Sequence, residues 1–143
     1  MTGNMKRIST VGVIAVAVFT ATSTVNAHAV IGGKGKARCA IGGVDAYGYF
    51  KEWAHNRTKM SLITYDTKND RRHVAVRFIS KKDYDTKIRY WAWHHNYKGH
   101  NEKKVTKTSA STEKSGLSFI GIQAAVMDGS KVVKSCKSWA VGY

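Results

Sequence analysis

Apolar residues in this chain recur at every second position, in short runs that end at charged or glycine-containing turns. Met60, Leu62 and Thr64 oppose Ser61, Ile63 and Tyr65. Val74, Val76 and Phe78 share one side of residues 73–80, while Ile88, Tyr90 and Ala92 oppose Arg89, Trp91 and Trp93. Farther on, Ile120, Ile122, Ala124 and Val126 alternate with Phe119, Gly121, Gln123 and Ala125. A period of two places successive side chains on opposite faces of an extended strand, and nowhere does the pattern supply a helical face of three turns. The chain contains no proline, so its turns rest on Gly, Asn, Asp and Lys. Gly42-Gly43, residues 66–72 (DTKNDRR) and residues 81–85 read as turns, and Asp128-Gly129 is a two-residue hairpin signal. Residues 106–115, rich in Ser, Thr and Lys, read as an edge strand or a solvated loop. The expected fold is all-β: six to eight antiparallel strands in one immunoglobulin-like β-sandwich.

Two cysteines occur, Cys39 and Cys136, far apart in the chain. In an oxidising compartment they pair and tie the first strand to the last. The N-terminal residues point to such a compartment. Lys6 and Arg7 precede the apolar run of residues 11–20 (VGVIAVAVFT), which is too short to cross a bilayer. Ala27 and Ala29 then bracket His28 in the small-residue pattern of a cleavage site. Residues 1–29 are therefore expected to be a secretory signal peptide, residues 30–37 (VIGGKGKA) a flexible basic arm, and residues 38–143 the sandwich domain. The expected location is extracellular, with no transmembrane anchor.

Lys and Arg outnumber Asp and Glu by 24 to 9. Loss of Lys6 and Arg7 with the leader lowers the net charge from +15 to +13. A charge of that size opposes compaction by self-repulsion and draws anionic partners.

The densest group of chemically able side chains lies at residues 89–100 (RYWAWHHNYKGH). Rings interleaved with cations suit stacking, while Arg and Lys meet anionic groups. Arg89, Tyr90, Trp91, Trp93, His94, His95, Tyr97 and Lys98 are accordingly the candidate binding residues. On a regular strand Trp91 and Trp93 share a face. Two indole rings fill a core better than Ala92 beside Ile88 and Tyr90, which would leave Tyr90 and Lys87 outside. No metal site is expected, because adjacent histidines on a strand point to opposite faces. His94, His95 and His100 also lack a His-x-His or His-Glu-x-x-His pattern, and Asp66, Asp70 and Glu102 become ligands only by assumption. No cofactor and no catalytic residue is nominated. The chain has no Gly-x-Ser-x-Gly motif. A small ribonuclease would pair Glu52 with His95, or His94 with His100 beside Lys87 and Arg89, but such pairs can be drawn in most basic proteins with six histidines.

The order of Cys39, then Leu62-Ile63-Thr64-Tyr65-Asp66-Thr67 leading into a turn and Val74-Ala75-Val76, then residues 96–99 and a C-terminal Cys136, resembles a known layout. It is that of small secreted β-sandwich proteins of Gram-positive, mostly actinobacterial, bacteria. One group of these serves as adaptor subunits of multi-protein antibacterial particles, the umbrella toxins. The resemblance spans most of the mature chain in layout and carries no site residues across. It implies a role within a toxin assembly. The expected function is a secreted, non-catalytic binding or adaptor module with a secreted protein partner. An anionic wall polymer or glycan stands second, and nucleic acid is disfavoured. The alternative is a cationic effector acting alone, either an antibacterial protein or a small ribonuclease.

Overall fold

Three two-residue turns organise the strands of the computed structural model, which describes residues 33–142. Strand β1 (Gly33–Ile41) turns at Gly42-Gly43 into β2 (Val44–Ala54), with Ile41 paired to Val44. Gly43 has φ 109°, a value that side chains with a Cβ rarely adopt. β2 turns at His55-Asn56 into β3 (Arg57–Asp66). β7 (Phe119–Asp128) turns into β8 (Lys131–Trp139) with Asp128 paired to Lys131. The central residues of that last hairpin are Gly129-Ser130, one position beyond the Asp128-Gly129 pair that signals it. The remaining strands are β4 (His73–Lys81), β5 (Arg89–Asn96), β6 (Lys103–Ser111) and β9 (Val141–Gly142).

All pairings between strands are antiparallel. β6-β3-β2-β1-β9 form a five-stranded sheet and β5-β4-β7-β8 a four-stranded one. The two-layer architecture is that of the immunoglobulin-like sandwiches, while this strand order differs from their ABED and CFG sheets. Ala46, Phe50, Met60 and Leu62 from one sheet meet Val74, Val76, Phe78, Ile120, Ile122 and Val126 from the other. All but Ala46 and Phe50, which lie in an apolar stretch read without alternation, belong to runs whose alternation the sequence shows. Among the described residues β6 is an edge strand bonded only to β3, and Lys103 and Lys107 on it discourage further strand addition.

Two clamps hold the layers together. Cys39 on β1 is disulfide-bonded to Cys136 on β8, across a sequence separation of 97. On the other flank, buried Asn96 donates from Nδ2 to the Thr64 carbonyl at 3.2 Å and to the Glu102 carbonyl at 2.9 Å. Its Oδ1 accepts from the Lys98 backbone N–H at 3.0 Å, so one amide fixes the β5–β6 connection against β3.

The signal peptide and the first part of the expected arm, residues 1–32, lie outside the described residues. From Gly33 onward the arm is not free: it is the start of β1, paired with β2 and, through Gly35 and Lys36, with β9. The sequence conceals this strand because Gly35 and Ala37 occupy the inward positions between exposed Lys34, Lys36 and Arg38. A methyl group at Gly35 would come within 3.1 Å of the Trp53 ring. The small residue makes room for the largest core side chain.

Candidate functional site

β4 and β7 are central in their sheet, and both of their faces are covered. Val74, Val76 and Phe78 point into the sandwich, whereas Ala75, Ala125 and Met127 are buried on the opposite side, beneath Trp93. The outer face of the four-stranded sheet therefore carries a layer of its own. The rings at its centre, Tyr90 and Trp93, come from β5, the strand that the sequence nominated.

Their placement depends on a bulge. Arg77 pairs with Trp93 and Ile79 with Tyr90, which leaves Trp91 and Ala92 together opposite Phe78. Two residues facing one reverse the inside–outside alternation along the strand. Trp91 consequently turns inward, with its ring 5.4 Å from that of Phe78 and its Nε1 donating to Ser80 Oγ at 3.0 Å. Trp93 turns outward. The expectation that the two tryptophans share a face is corrected: one is core, and the other belongs to the outer layer.

On that layer the Arg77 guanidinium lies between two rings, 4.1 Å from the Tyr90 centroid and 4.3 Å from that of Trp93. Arg77 Nε donates to Gln123 Oε1 at 2.8 Å, and Gln123 Nε2 donates to Ser135 Oγ at 3.0 Å. Four strands thus hold one cation–π stack. Lys137 Nζ approaches the Tyr90 ring at 5.3 Å. Burial lowers the Arg77 pKa from the ordinary arginine value, and Tyr90 opposes that shift.

Beside the stack, His73 Nε2 and His95 Nδ1 are 2.9 Å apart, so one ring donates and the other accepts. Tyr97, 71% exposed, packs on both rings, with centroids 4.3 Å from His73 and 5.5 Å from His95. Partial burial depresses the His73 pKa, the charge of His95 adds to this, and Asp66 opposes it. His94 is depressed too, first by burial and then by Lys104 and His95. A histidine whose native pKa lies below its unfolded value of about 6.5 binds fewer protons folded than unfolded, so its contribution is intact above that value and lost as pH falls below it. The melting temperature is expected to drop between pH 7.5 and 5.5, and to drop less in His73→Gln. Parallel melting curves of the two proteins over that range test this, and equal pH dependence would contradict it.

The other nominated residues scatter. Arg89 lies over the Trp91 ring at 4.2 Å, at one end of β5. His94 lies on the Val76 side of the strand. Lys98 is exposed and donates from Nζ to the Lys103 carbonyl at 3.1 Å. His100 forms a lone bridge with Asp66, whereas His94 pairs with Val76 on β4. Glu52, ion-paired to Lys59 at 2.8 Å, belongs to the five-stranded sheet and His95 to the other. Arg77, Gln123, His73 and Lys137 join the site without having been nominated. Arg77 and Gln123 had a sequence signal, since each is the polar interruption of an otherwise apolar run. Compared with family models, curated proteins and solved structures, the chain finds no match.

Proposed function

We propose that this protein is an exported, non-catalytic binding module that holds a secreted protein partner against the outer face of its four-stranded sheet. The observation that carries the reading is the Tyr90–Arg77–Trp93 stack, braced by Gln123 and Ser135. Tyr, Trp and Arg are the residues that dominate binding energy at protein interfaces, and side chains already held in place lose little freedom on association. The disulfide suits an oxidising compartment. An adaptor role in a toxin assembly, as the layout resemblance implies, is one setting for such a face.

The test is capture from native culture supernatant with tagged mature protein, washed at about 0.5 M salt, where surface electrostatics are strongly screened. Defined secreted proteins are expected in fixed ratio, and Tyr90→Ala is expected to reduce their recovery about tenfold, the effect of losing one ring contact of about 1.4 kcal/mol. A protein that emerges alone, or a Tyr90→Ala variant that captures equally well, would overturn the reading.

A further inference from the structure

The outer face of the five-stranded sheet breaks the rule for a solvated surface. Outward positions on an antiparallel sheet that faces water are ordinarily polar. Here Tyr47 and Tyr49 on β2, Ile63 and Tyr65 on β3, and Val105 on β6 occupy outward positions, flanked on β1 by Lys36 and Arg38. Cross-strand register sorts them into rows. Lys36, Tyr49, Ser61 and Lys107 form one, Arg38, Tyr47, Ile63 and Val105 the next, and Asp45, Tyr65 and Lys103 a third. The middle of the face is aromatic and both flanks are cationic.

Its geometry is built rather than incidental. The Tyr47 and Tyr49 rings are parallel within 4°, with centroids 6.4 Å apart, and Tyr65 stands edge-on to Tyr47 at 6.2 Å. Asp45 receives hydrogen bonds from Arg38 Nε at 3.1 Å, Arg38 Nη2 at 2.9 Å and Tyr47 Oη at 3.0 Å. The Arg38 guanidinium also lies 5.2 Å from the Tyr47 centroid. Depressions of about 470 Å³ and 440 Å³ flank these tyrosines. The first is bordered by Asp45, Tyr65 and Asn101, the second by Arg38, Trp139 and Val141.

We propose that this face binds a linear anionic polysaccharide, with sugar rings on Tyr47, Tyr49 and Tyr65 and acidic groups drawn to the flanking cations. A pyranose has an apolar C–H face that packs on an aromatic ring and a rim of hydroxyls that needs donors and acceptors. Tyrosine supplies both kinds of contact, and Asp45, Thr67 and Asn101 supply acceptors and donors beside it. Lys36, Lys103 and Lys107 complement carboxylates along the polymer, while the Arg38 fork is taken up by Asp45. Asp45, whose carboxyl the Arg38 hydrogen bonds hold below its ordinary pKa, stays ionised beside Tyr47 as a hydroxyl acceptor. Sugar hydroxyls can donate to its remaining lone pairs, and polyuridylate, which offers fewer hydroxyls per ring, is the comparison that separates a glycan from nucleic acid.

The probes are polygalacturonate, neutral dextran and polyuridylate, each titrated against the oxidised mature protein by calorimetry at low and high salt. Polygalacturonate is expected to bind most tightly, with affinity that falls as salt rises. Tyr49→Ser, at a strand position that is 39% exposed, is expected to weaken it about tenfold while still melting cooperatively within a few degrees of the parent. Tyr47→Phe tests the same face while keeping its ring, and is expected to weaken binding less. Tyr90→Ala, on the opposite sheet, is expected to bind polygalacturonate normally, so failure here and failure of the protein-partner reading remain distinguishable. Equal binding of dextran would overturn the anionic class, and tighter binding of polyuridylate would make the ligand nucleic acid. Unchanged affinity in Tyr49→Ser, or no binding of any polymer, would overturn the site.

Discussion

Replacing Cys39 and Cys136 together by alanine is expected to destabilise the domain by about 4.7 kcal/mol, the chain-entropy value for a closed loop of roughly 100 residues. The observed separation of 97 residues makes this close to the largest constraint one bridge can impose on a chain of this length. In that picture most of the effect lies in the unfolded state, which the bridge prevents from expanding. The folded state also loses its covalent tie between β1 and β8, which belong to different sheets. Domains of this size are stable by only about 5–15 kcal/mol, so the variant approaches the threshold of unfolding at 37 °C. Its melting temperature should fall by roughly 20 °C or more. Denaturant unfolding of the oxidised parent and the double variant at one pH measures the difference. A loss below about 1 kcal/mol would mean that the unfolded chain is already compact without the bridge.

Trp53→Ala is expected to cost about 3–5 kcal/mol, the range for deleting a buried aromatic side chain. Trp53 is 1% exposed, and its Nε1 donates to the Leu117 carbonyl at 2.9 Å. The ring therefore does two things: it fills the space that Gly35 leaves open, and it pins the connection between β6 and β7 to the sandwich. Deleting it opens a cavity and leaves a buried carbonyl without its donor. Trp53→Phe separates these effects, because it retains much of the volume and removes only the hydrogen bond, for an expected loss of about 1–3 kcal/mol. Equal losses in the two variants would mean that the hydrogen bond, not the packing, dominates.

The layer architecture was legible because burial acts on β3, β4 and β7 as the alternation says. Met60, Leu62, Val74, Val76, Ile120 and Ile122 are inward in the sequence pattern and inward in the fold. The bridge was legible from cysteine count alone. The first half of β1, Gly33 to Ala37, was not, because hydrophobic periodicity has no contrast when Gly35 and Ala37 fill the inward positions. Neither was the orientation of β5, since a bulge is a property of how two strands register and leaves no mark in one of them. That is why Trp91 and Trp93, two positions apart, serve the core and the surface respectively. The tyrosines of the five-stranded sheet were visible as letters. Their meaning emerged only once β1, β2, β3 and β6 lay side by side and set Tyr47, Tyr49 and Tyr65 between two cationic margins.

The strand order also constrains when this protein can become itself. Released from its N-terminus onward, the chain can form the β1-β2-β3 meander early, since those strands are neighbours in sequence and in the sheet. The inner side of that meander gains part of its cover from Val74, Val76 and Phe78 on β4, and the rest only when Ile120 and Ile122 arrive on β7. Cys39 has no partner until residue 136 is made, and β1 has no outer neighbour until Val141. The first strands therefore wait with their apolar face only partly covered. Assembly is completed only once residues 120–141 have been released, and a helper that shields the first three strands would be useful before that point.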